Sequence, residues 1–206
     1  RYETALAYRD EMIKRSAVRG NDEAYNFILT TLVSFSDPGI VMLPVHRLIK
    51  KVPPKTLQEF KKQINNYFDI TLNPLTDDGI MEKKGTDIRV LGLEPDKIVN
   101  LKLRPSISLK DVMSQRTTIY QSLDISILEH IILEKLLTAA NKDGNIVYTP
   151  YPEQARQQVN NGEFQLAFLL NVMPVTIIKA IADAGDRMPH KSTYFYPKLP
   201  TGLVIS

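Results

Sequence analysis

The chain has 206 residues, 43% of them hydrophobic and 24% charged, a composition typical of a globular protein and not of a disordered or fibrous one. Its 26 basic and 23 acidic residues give a net charge of +3; the basic residues form scattered doublets, so we expect no nucleic-acid partner. The chain has no cysteine, which fits a cytoplasmic protein, and its longest apolar run (Leu166–Leu170) is too short for a membrane span, so we expect no membrane partner.

The first predicted element is a helix that starts at the beginning of the chain. Apolar residues recur at helical spacing from Tyr2 to Ala17, and the helix is expected to end near Gly20. No Ser, Thr, Asp or Asn precedes the periodic segment, so the first amide groups lack a side-chain acceptor. We therefore expect that residues upstream of Arg1 have been lost.

A β-hairpin is predicted next. Tyr25–Phe35 is rich in β-branched and aromatic residues, as in a long strand, and Asp37-Pro38-Gly39 is a turn signal. Ile40–Leu43 then follows as the predicted return strand. After the Pro53-Pro54 break, the pattern from Thr56 to Tyr67 predicts an amphipathic helix.

The middle of the chain predicts a short strand, a second hairpin and a central helix. The strand is Phe68–Leu72, and the hairpin joins Ile88–Leu93 to Ile98–Leu103. The segment from Ser108 to Tyr120 fits no single pattern. The helix, Asp124–Ala139, is apolar over much of its circumference, which indicates a core position, and Ser126 and Glu129 have capping-box spacing near its start.

The last third alternates strand, helix, strand and helix. The segments are Ile146–Thr149, Pro152–Asn161, Leu166–Leu170 and Pro174–Ala184, with Gly162 and Gly185 after the two helices. This order predicts a right-handed parallel crossover. The expected fold class is α+β, with a mixed sheet, hairpins and a C-terminal βαβα unit. We expect residues 1–50 to be the remnant of a preceding domain, 51–120 a helix and hairpin region, and 121–206 the α/β unit, all in one body.

Two polar loops contain candidate site residues. In the first, His46 and Arg47 follow a predicted strand, so they are a candidate general base and anion clamp, or a satisfied core His and a paired Arg. The three histidines lie on unrelated elements, so we expect no metal site.

The second loop runs from Gly185 to Ser192. It has only a superficial likeness to a Walker phosphate loop, because His190 occupies the position of the second glycine and a helix precedes it. Lys191, Ser192 and Thr193 are nevertheless candidate phosphate or carboxylate ligands, with a structured C-terminal tail as the alternative.

Three stretches together resemble the bacterial and archaeal family known as domain of unknown function 1015. They are Arg1–Met12, Leu43–Leu48 and Met188–Val204, and the segment Ala167–Asn171 also fits. The match covers this chain but only the C-terminal half of a typical member. Two positions depart from the family pattern, Val45 where Thr is usual and His190 where Gln is usual, so the exact roles of these loops do not transfer.

The resemblance implies a link to phosphate chemistry. In the family, an Asp-Gly-His-His-Arg motif runs into the first helix, and Arg1 would be its last residue. That motif is similar to the phosphate-contacting loop of the ParB/sulfiredoxin-like fold, which includes small-molecule serine kinases that use ADP or ATP. The resemblance thus implies ATP or ADP, with Mg²⁺, as the cofactor of the parent protein.

The leading hypothesis is that the parent binds a nucleotide or a phosphorylated small molecule and transfers a phosphoryl group. Arg1, Arg47, Lys191, Ser192 and Thr193 would contact phosphate or substrate, and His46 is the candidate catalytic residue. This chain alone would then be inactive. The alternative is a non-enzymatic regulatory module whose cationic loops bind an acidic segment of a protein partner.

Overall fold

In the computed structural model of the chain, the described residues are 2–15, 20–76, 87–138 and 144–198. The chain divides into two units, one of residues 1–39 with 197–206 and the other of residues 40–196. The division into segments 1–50, 51–120 and 121–206 stays a prediction.

The first unit contains the predicted N-terminal helix, α1 (Tyr2–Arg15), and a short 3₁₀ turn (Ala24–Asn26). Glu3 lies in the first turn of α1 and Lys14 and Arg15 in its last, so charges at both ends complement the helix dipole. The predicted end of the helix near Gly20 borders residues 16–19, which lie outside the described residues.

The predicted strand Tyr25–Phe35 is wrong. After the 3₁₀ turn, residues 27–34 have no regular structure and pair with no strand among the described residues, and Phe27, Leu29 and Leu32 are exposed. A strand needs a partner for its backbone groups, whatever its composition. The expected partner, Val41–Leu43, pairs elsewhere. The turn at Asp37–Gly39 is confirmed, since the Gly39 N–H donates to Asp37 Oδ1 at 2.8 Å.

The second unit is built on an antiparallel sheet of six strands in the order β3-β5-β4-β7-β2-β6. A separate two-stranded ribbon pairs β1 with β8. The strands are β1 (Val41–Leu43), β2 (His46–Ile49), β3 (Phe68–Pro74), β4 (Ile88–Leu91), β5 (Lys97–Leu103), β6 (Ile146–Thr149), β7 (Leu166–Leu169) and β8 (Tyr194–Tyr196).

The helices of this unit agree with the sequence pattern in most places. They are α2 (Pro54–Gln63), α3 (Leu109–Val112), α4 (Thr118–Gln121), α5 (Asp124–Ile127), α6 (Pro152–Asn160) and α7 (Val175–Asp183), with a 3₁₀ turn at Ile64–Asn66 and a π-helical segment, Leu128–Leu136, continuing α5. The α+β class is confirmed, as are the second hairpin and the helices after Pro53, Tyr151 and Pro174.

The predicted parallel crossover requires a correction. Strands β6 and β7 run in the same direction, but they are not neighbours, because β2 lies between them and pairs antiparallel with both. The result is a split βαβ unit in which every described strand pairing is antiparallel. Strand β7 thereby lies inside the sheet, which explains why Leu166 to Leu169 are apolar throughout and fully buried.

The predicted capping box at Ser126 and Glu129 is also wrong. Ser126 lies inside α5 and is fully buried, and the residue before the helix, Leu123, makes no side-chain cap. The preceding segment, which fitted no pattern, forms two four-residue helices that bring the chain to α5, and Ser108 and Thr117 cap them. The helix begins at Asp124, as predicted, which is three residues before the start that a cap at Ser126 would give.

Gly92 directly follows β4 and lies against the backbone of Gln165, the residue before β7. Its φ is +83°, and a Cβ atom there would lie 2.2 Å from the carbonyl oxygen of Gln165. Gly162, which ends α6, has a similar φ of +78° but no atom within 4 Å of such a Cβ. The two glycines therefore separate the cost of the dihedral angle from the cost of the clash.

We expect Gly92→Ala to lower the free energy of unfolding by about 3 kcal/mol or more, because the backbone at Gln165 must shift to make room for the new methyl group. Gly162→Ala should cost only about 1 kcal/mol, the penalty of a left-handed residue. Denaturant unfolding of both variants measures the difference. Equal losses would contradict the close approach.

Candidate functional site

Strand β2 begins with a buried histidine that is held in one tautomer. His46 is 1% exposed, and its Nδ1 accepts the N–H of Leu170 at 3.1 Å, so the ring proton is on Nε2. Burial, together with the positive charges of Arg89 and Arg47, lowers the pKa of His46 to about 3. His46 is therefore neutral at physiological pH, and its Nε2 has no hydrogen-bond partner among the described residues.

The next residue, Arg47, ties three elements together. Its guanidinium donates to the carbonyl of Val45 and, through Nη2, to the carbonyls of His190 (3.2 Å) and Lys191 (3.1 Å). Nη2 also lies 3.5 Å from Glu129 Oε1 on the π-helical segment. Arg47 is 1% exposed, and burial lowers its pKa to about 10 while Glu129 raises it. The fold thus already uses both terminal nitrogens of this guanidinium, whereas the buried Nε has no hydrogen-bond partner among the described residues.

Asp186 fixes the start of the loop that Arg47 holds. It accepts hydrogen bonds from Arg116 Nη1 (2.8 Å), from the N–H (2.9 Å) and hydroxyl (3.1 Å) of Thr117, and from the N–H of Arg187 (2.8 Å). Burial opposes ionisation, but these donors lower the pKa of Asp186 to about 2. The loop from Asp186 to Ser192 is therefore anchored at both ends.

A cavity of about 210 Å³ lies beside this loop, within the second unit. Its walls come from the end of β1, the start of α5, the segment after β7, the start of α7 and the loop residue Ser192. Most of the lining is apolar, including Leu43, Val45, Met173 and Ile177. The polar side chains in the wall are Ser122, Asp124, Asn171 and Ser192.

Asp124 is oriented in the cavity wall by a chain of hydrogen bonds. Buried Arg89 on β4 donates to Asn171 Oδ1 at 3.1 Å, which points the amide nitrogen of Asn171 toward the other side. That nitrogen lies 3.3 Å from the carbonyl of Asp87 and 3.5 Å from Asp124 Oδ2. Asp124 Oδ1 is buried and has no hydrogen-bond partner among the described residues. One carboxylate oxygen is thus held by Asn171, and the other is buried without a partner among the described residues.

The electrostatics of Asp124 suit proton transfer near neutral pH. Burial raises the pKa of Asp124 to about 6; the hydrogen bond from Asn171 and the charge of Arg89 oppose this shift, and the charge of Asp87 adds to it. A general base works best when its pKa is close to the working pH. A carboxyl group shifted in this way and placed in a cavity is a candidate functional group.

The candidate site residues from the sequence do not all lie at one site in the structure. Arg1 lies outside the described residues. His46 and Arg47 are buried at the start of β2, whereas Lys191 is exposed, with a φ of +53°. Ser192 and Thr193 are half-buried; Ser192 lines the cavity and donates to the carbonyl of Pro189 at 2.7 Å. Only Ser192 of this set belongs to the cavity wall.

A family relationship covers more than half of the chain. The model of the family described as a protein of unknown function, DUF1015, matches residues 1–126. The chain belongs to the DUF1015 family. No curated protein sequence is significantly similar to this DUF1015 chain.

Solved structures show only a distant likeness to the DUF1015 chain. A conserved hypothetical protein from Pyrococcus furiosus has 13% identity and a TM-score of 0.49, with 82% of this chain and 62% of that one covered. A mutant free serine kinase in complex with AMP has 12% identity and a TM-score of 0.48, with 80% and 57% covered. A mutant in complex with ADP has 12% identity and a TM-score of 0.48, with 81% and 58% covered. The DUF1015 chain thus spans about three-fifths of the length of these structures.

The described part of this DUF1015 chain was searched for membrane-spanning helices and for metal sites. None of its described helices is long and apolar enough to cross a membrane. Among the same residues, no group of three or more His, Asp or Glu side chains could hold a metal ion.

Sequence reasoning missed Asp124, Asn171 and Arg89. Asp124 is the first residue of a predicted helix and Asn171 directly follows a predicted strand, so neither position was marked as a site. A signal was present in the strand Ile88–Leu91, where Arg89 interrupts an apolar run. Because a buried arginine needs polar partners, that interruption indicated a polar group next to the sheet.

The pKa of His46 predicts a pH-dependent stability. The unfolded chain binds a proton at His46 near its ordinary pKa of 6.5, whereas the folded chain does so only near 3. Stability should therefore fall as the pH drops from about 6.5 toward 3, by up to about 1.4 kcal/mol per pH unit. The raised pKa of Asp124 acts in the opposite direction, so a difference between variants is needed.

We expect the free energy of unfolding of the wild type to fall relative to that of His46→Asn as the pH drops from 7 to 4, because only the wild type loses the stability linked to His46. Denaturant unfolding of both proteins across this range measures the difference. His190→Asn, at an exposed position, is the control and should follow the wild-type curve. The same slope in His46→Asn and wild type would show that folding leaves the pKa of His46 unchanged.

Proposed function

We propose that the whole protein binds a nucleotide or a phosphorylated small molecule and transfers a phosphoryl group to a small hydroxyl-bearing molecule in the Asp124 cavity. The observation that carries this proposal is the carboxylate of Asp124, with Oδ2 held by Asn171 and Oδ1 buried without a partner among the described residues. The resemblance of the family motif ending at Arg1 to phosphate-contacting loops supports the nucleotide part.

The chemistry of the cavity matches the acceptor side of such a reaction. The hydroxyl of the bound molecule donates to the carboxylate of Asp124, and its oxygen attacks the terminal phosphorus of the nucleotide. A new oxygen–phosphorus bond forms while the bond from that phosphorus to the rest of the nucleotide breaks, so ATP leaves as ADP or ADP as AMP, and Asp124 takes the hydroxyl proton. His46 is neutral and bound to the backbone through Nδ1, so Asp124 replaces it in our proposal as the base.

The phosphate contacts remain as the sequence suggested, with one change of role. We propose that Lys191, Ser192 and Thr193 contact phosphate, since Lys191 is exposed and the two hydroxyl residues are half-buried on the same loop. The proposal that Arg1 contacts phosphate rests on the family resemblance alone, because Arg1 lies outside the described residues. Arg47 acts indirectly, because it holds the carbonyls of His190 and Lys191 and so fixes the shape of this loop.

The first test removes the base. We expect Asp124→Asn to lower the rate of phosphoryl transfer by roughly 10²- to 10⁴-fold, the usual contribution of a general base, with little change in nucleotide affinity. Asp111→Asn is the matched control, because Asp111 also lies in the first turn of a helix but is exposed. Turnover of the whole protein with ATP and a panel of small alcohols gives the rates. Equal rates for the two variants would remove Asp124 from the chemistry.

The second test concerns the phosphate-contacting loop. Lys191→Ala should weaken ATP binding by the whole protein roughly tenfold, the value of one charge-assisted hydrogen bond. Lys110→Ala, which removes an exposed lysine on α3, is the control and should leave the affinity unchanged. Isothermal titration calorimetry measures both. The same dissociation constant in Lys191→Ala and wild type would exclude Lys191 from the nucleotide site.

A further inference from the structure

We infer that the molecule held in the Asp124 cavity is a small alcohol without a negative charge, and that a positively charged one binds best. The inference rests on the proposed function only in treating this alcohol as the phosphoryl acceptor. Its binding preference can be measured without any transfer reaction.

The charge of the cavity wall is the first argument. Asp124 is the sole charged side chain among the described residues that line the cavity, beside the neutral groups of Ser122, Asn171 and Ser192. Behind the wall, Arg89 and Asp87 both act on Asp124, one positive and one negative. Two carboxylates and one guanidinium leave this region with a net negative charge. A cation is therefore favoured and an anion is repelled.

The apolar part of the cavity wall further disfavours negatively charged ligands. Leu43, Val45, Leu170, Met173 and Ile177 face the same space, so a bound molecule loses much of its water. A carboxylate or phosphate that leaves water without a cationic partner is strongly disfavoured. A small alcohol fits both parts of the wall. Its hydroxyl group would lie next to the Asp124 carboxylate, and its short apolar body would lie along these side chains.

The size of the cavity sets the third limit. At about 210 Å³, it is smaller than the roughly 300–1,000 Å³ of sites that hold drug-sized ligands. A nucleotide is thus expected to bind outside it. The cavity suits a molecule of a few heavy atoms with one hydroxyl group.

Three compounds with the same three-carbon skeleton test the inference. 1-Amino-2-propanol, 1,2-propanediol and lactate share a methyl group and a hydroxyl group but carry a positive, no and a negative charge. At about pH 8, where Asp124 is ionised, calorimetry or ligand-observed NMR on the full chain should give affinities in that order. We expect roughly tenfold between the first two, the value of a charge-assisted hydrogen bond, and weaker binding of lactate.

Two variants locate the preference. Asp124→Asn should bring the affinities of the amine and the diol close to each other, because the attracting charge is gone. Ile177→Lys places a cation in the apolar wall and should improve lactate binding relative to the diol, whereas Ile177→Gln should not. Far-ultraviolet circular dichroism of each variant confirms that it is folded.

The outcomes separate this inference from the proposed function. Binding in the expected order without phosphoryl transfer from ATP would leave the inference standing and remove the proposed function. Lactate binding as tightly as the amine would overturn the inference, even if transfer to other alcohols occurs. No binding of any of the three compounds at tens of millimolar would overturn it too.

Discussion

The pairing of β7 with β2 and β4 is the constraint on which the rest of the second unit depends. Residues just beyond β7 determine the polar geometry: the N–H of Leu170 fixes the tautomer of His46, and Asn171 joins Arg89 to Asp124. A shift of β7 by one residue would turn Phe168 and its neighbours to the opposite face. The buried strand is therefore both the centre of the core and the support of the cavity.

Each of the two buried arginines donates to neutral oxygen atoms, and neither is paired directly with Asp124 among the described residues. Arg47 donates to three backbone carbonyls, and its contact with Glu129 is longer, at 3.5 Å. Arg89 donates to the amide of Asn171 and acts on Asp124 only at a distance. Because no ion pair with Asp124 is found within the described ranges, burial dominates its pKa. A direct guanidinium contact would have lowered that pKa and occupied the free oxygen.

Local patterns predicted those elements that local interactions determine. The helix after Pro53 and the hairpin from Ile88 to Leu103 depend on proline, turn residues and short-range pairing, and the sequence contains all three. The segment Tyr25–Phe35 has strand composition but no partner in the described residues, and β1 pairs with β8 at the far end of the chain. Asp124 became visible as a site only when β4 and the segment after β7 met, which no local pattern encodes.

The insertion of β2 between β6 and β7 has a consequence for synthesis on the ribosome. His46 and Leu170, which are hydrogen-bonded, lie 124 positions apart in the chain. Both edges of β2 therefore stay unpaired until the last third of the chain has been synthesised, since its neighbours β6 and β7 lie there. During that interval, an apolar segment such as Leu48–Ile49 is a target for chaperones and for aggregation, so expression should depend more on translation and chaperone supply than on final stability.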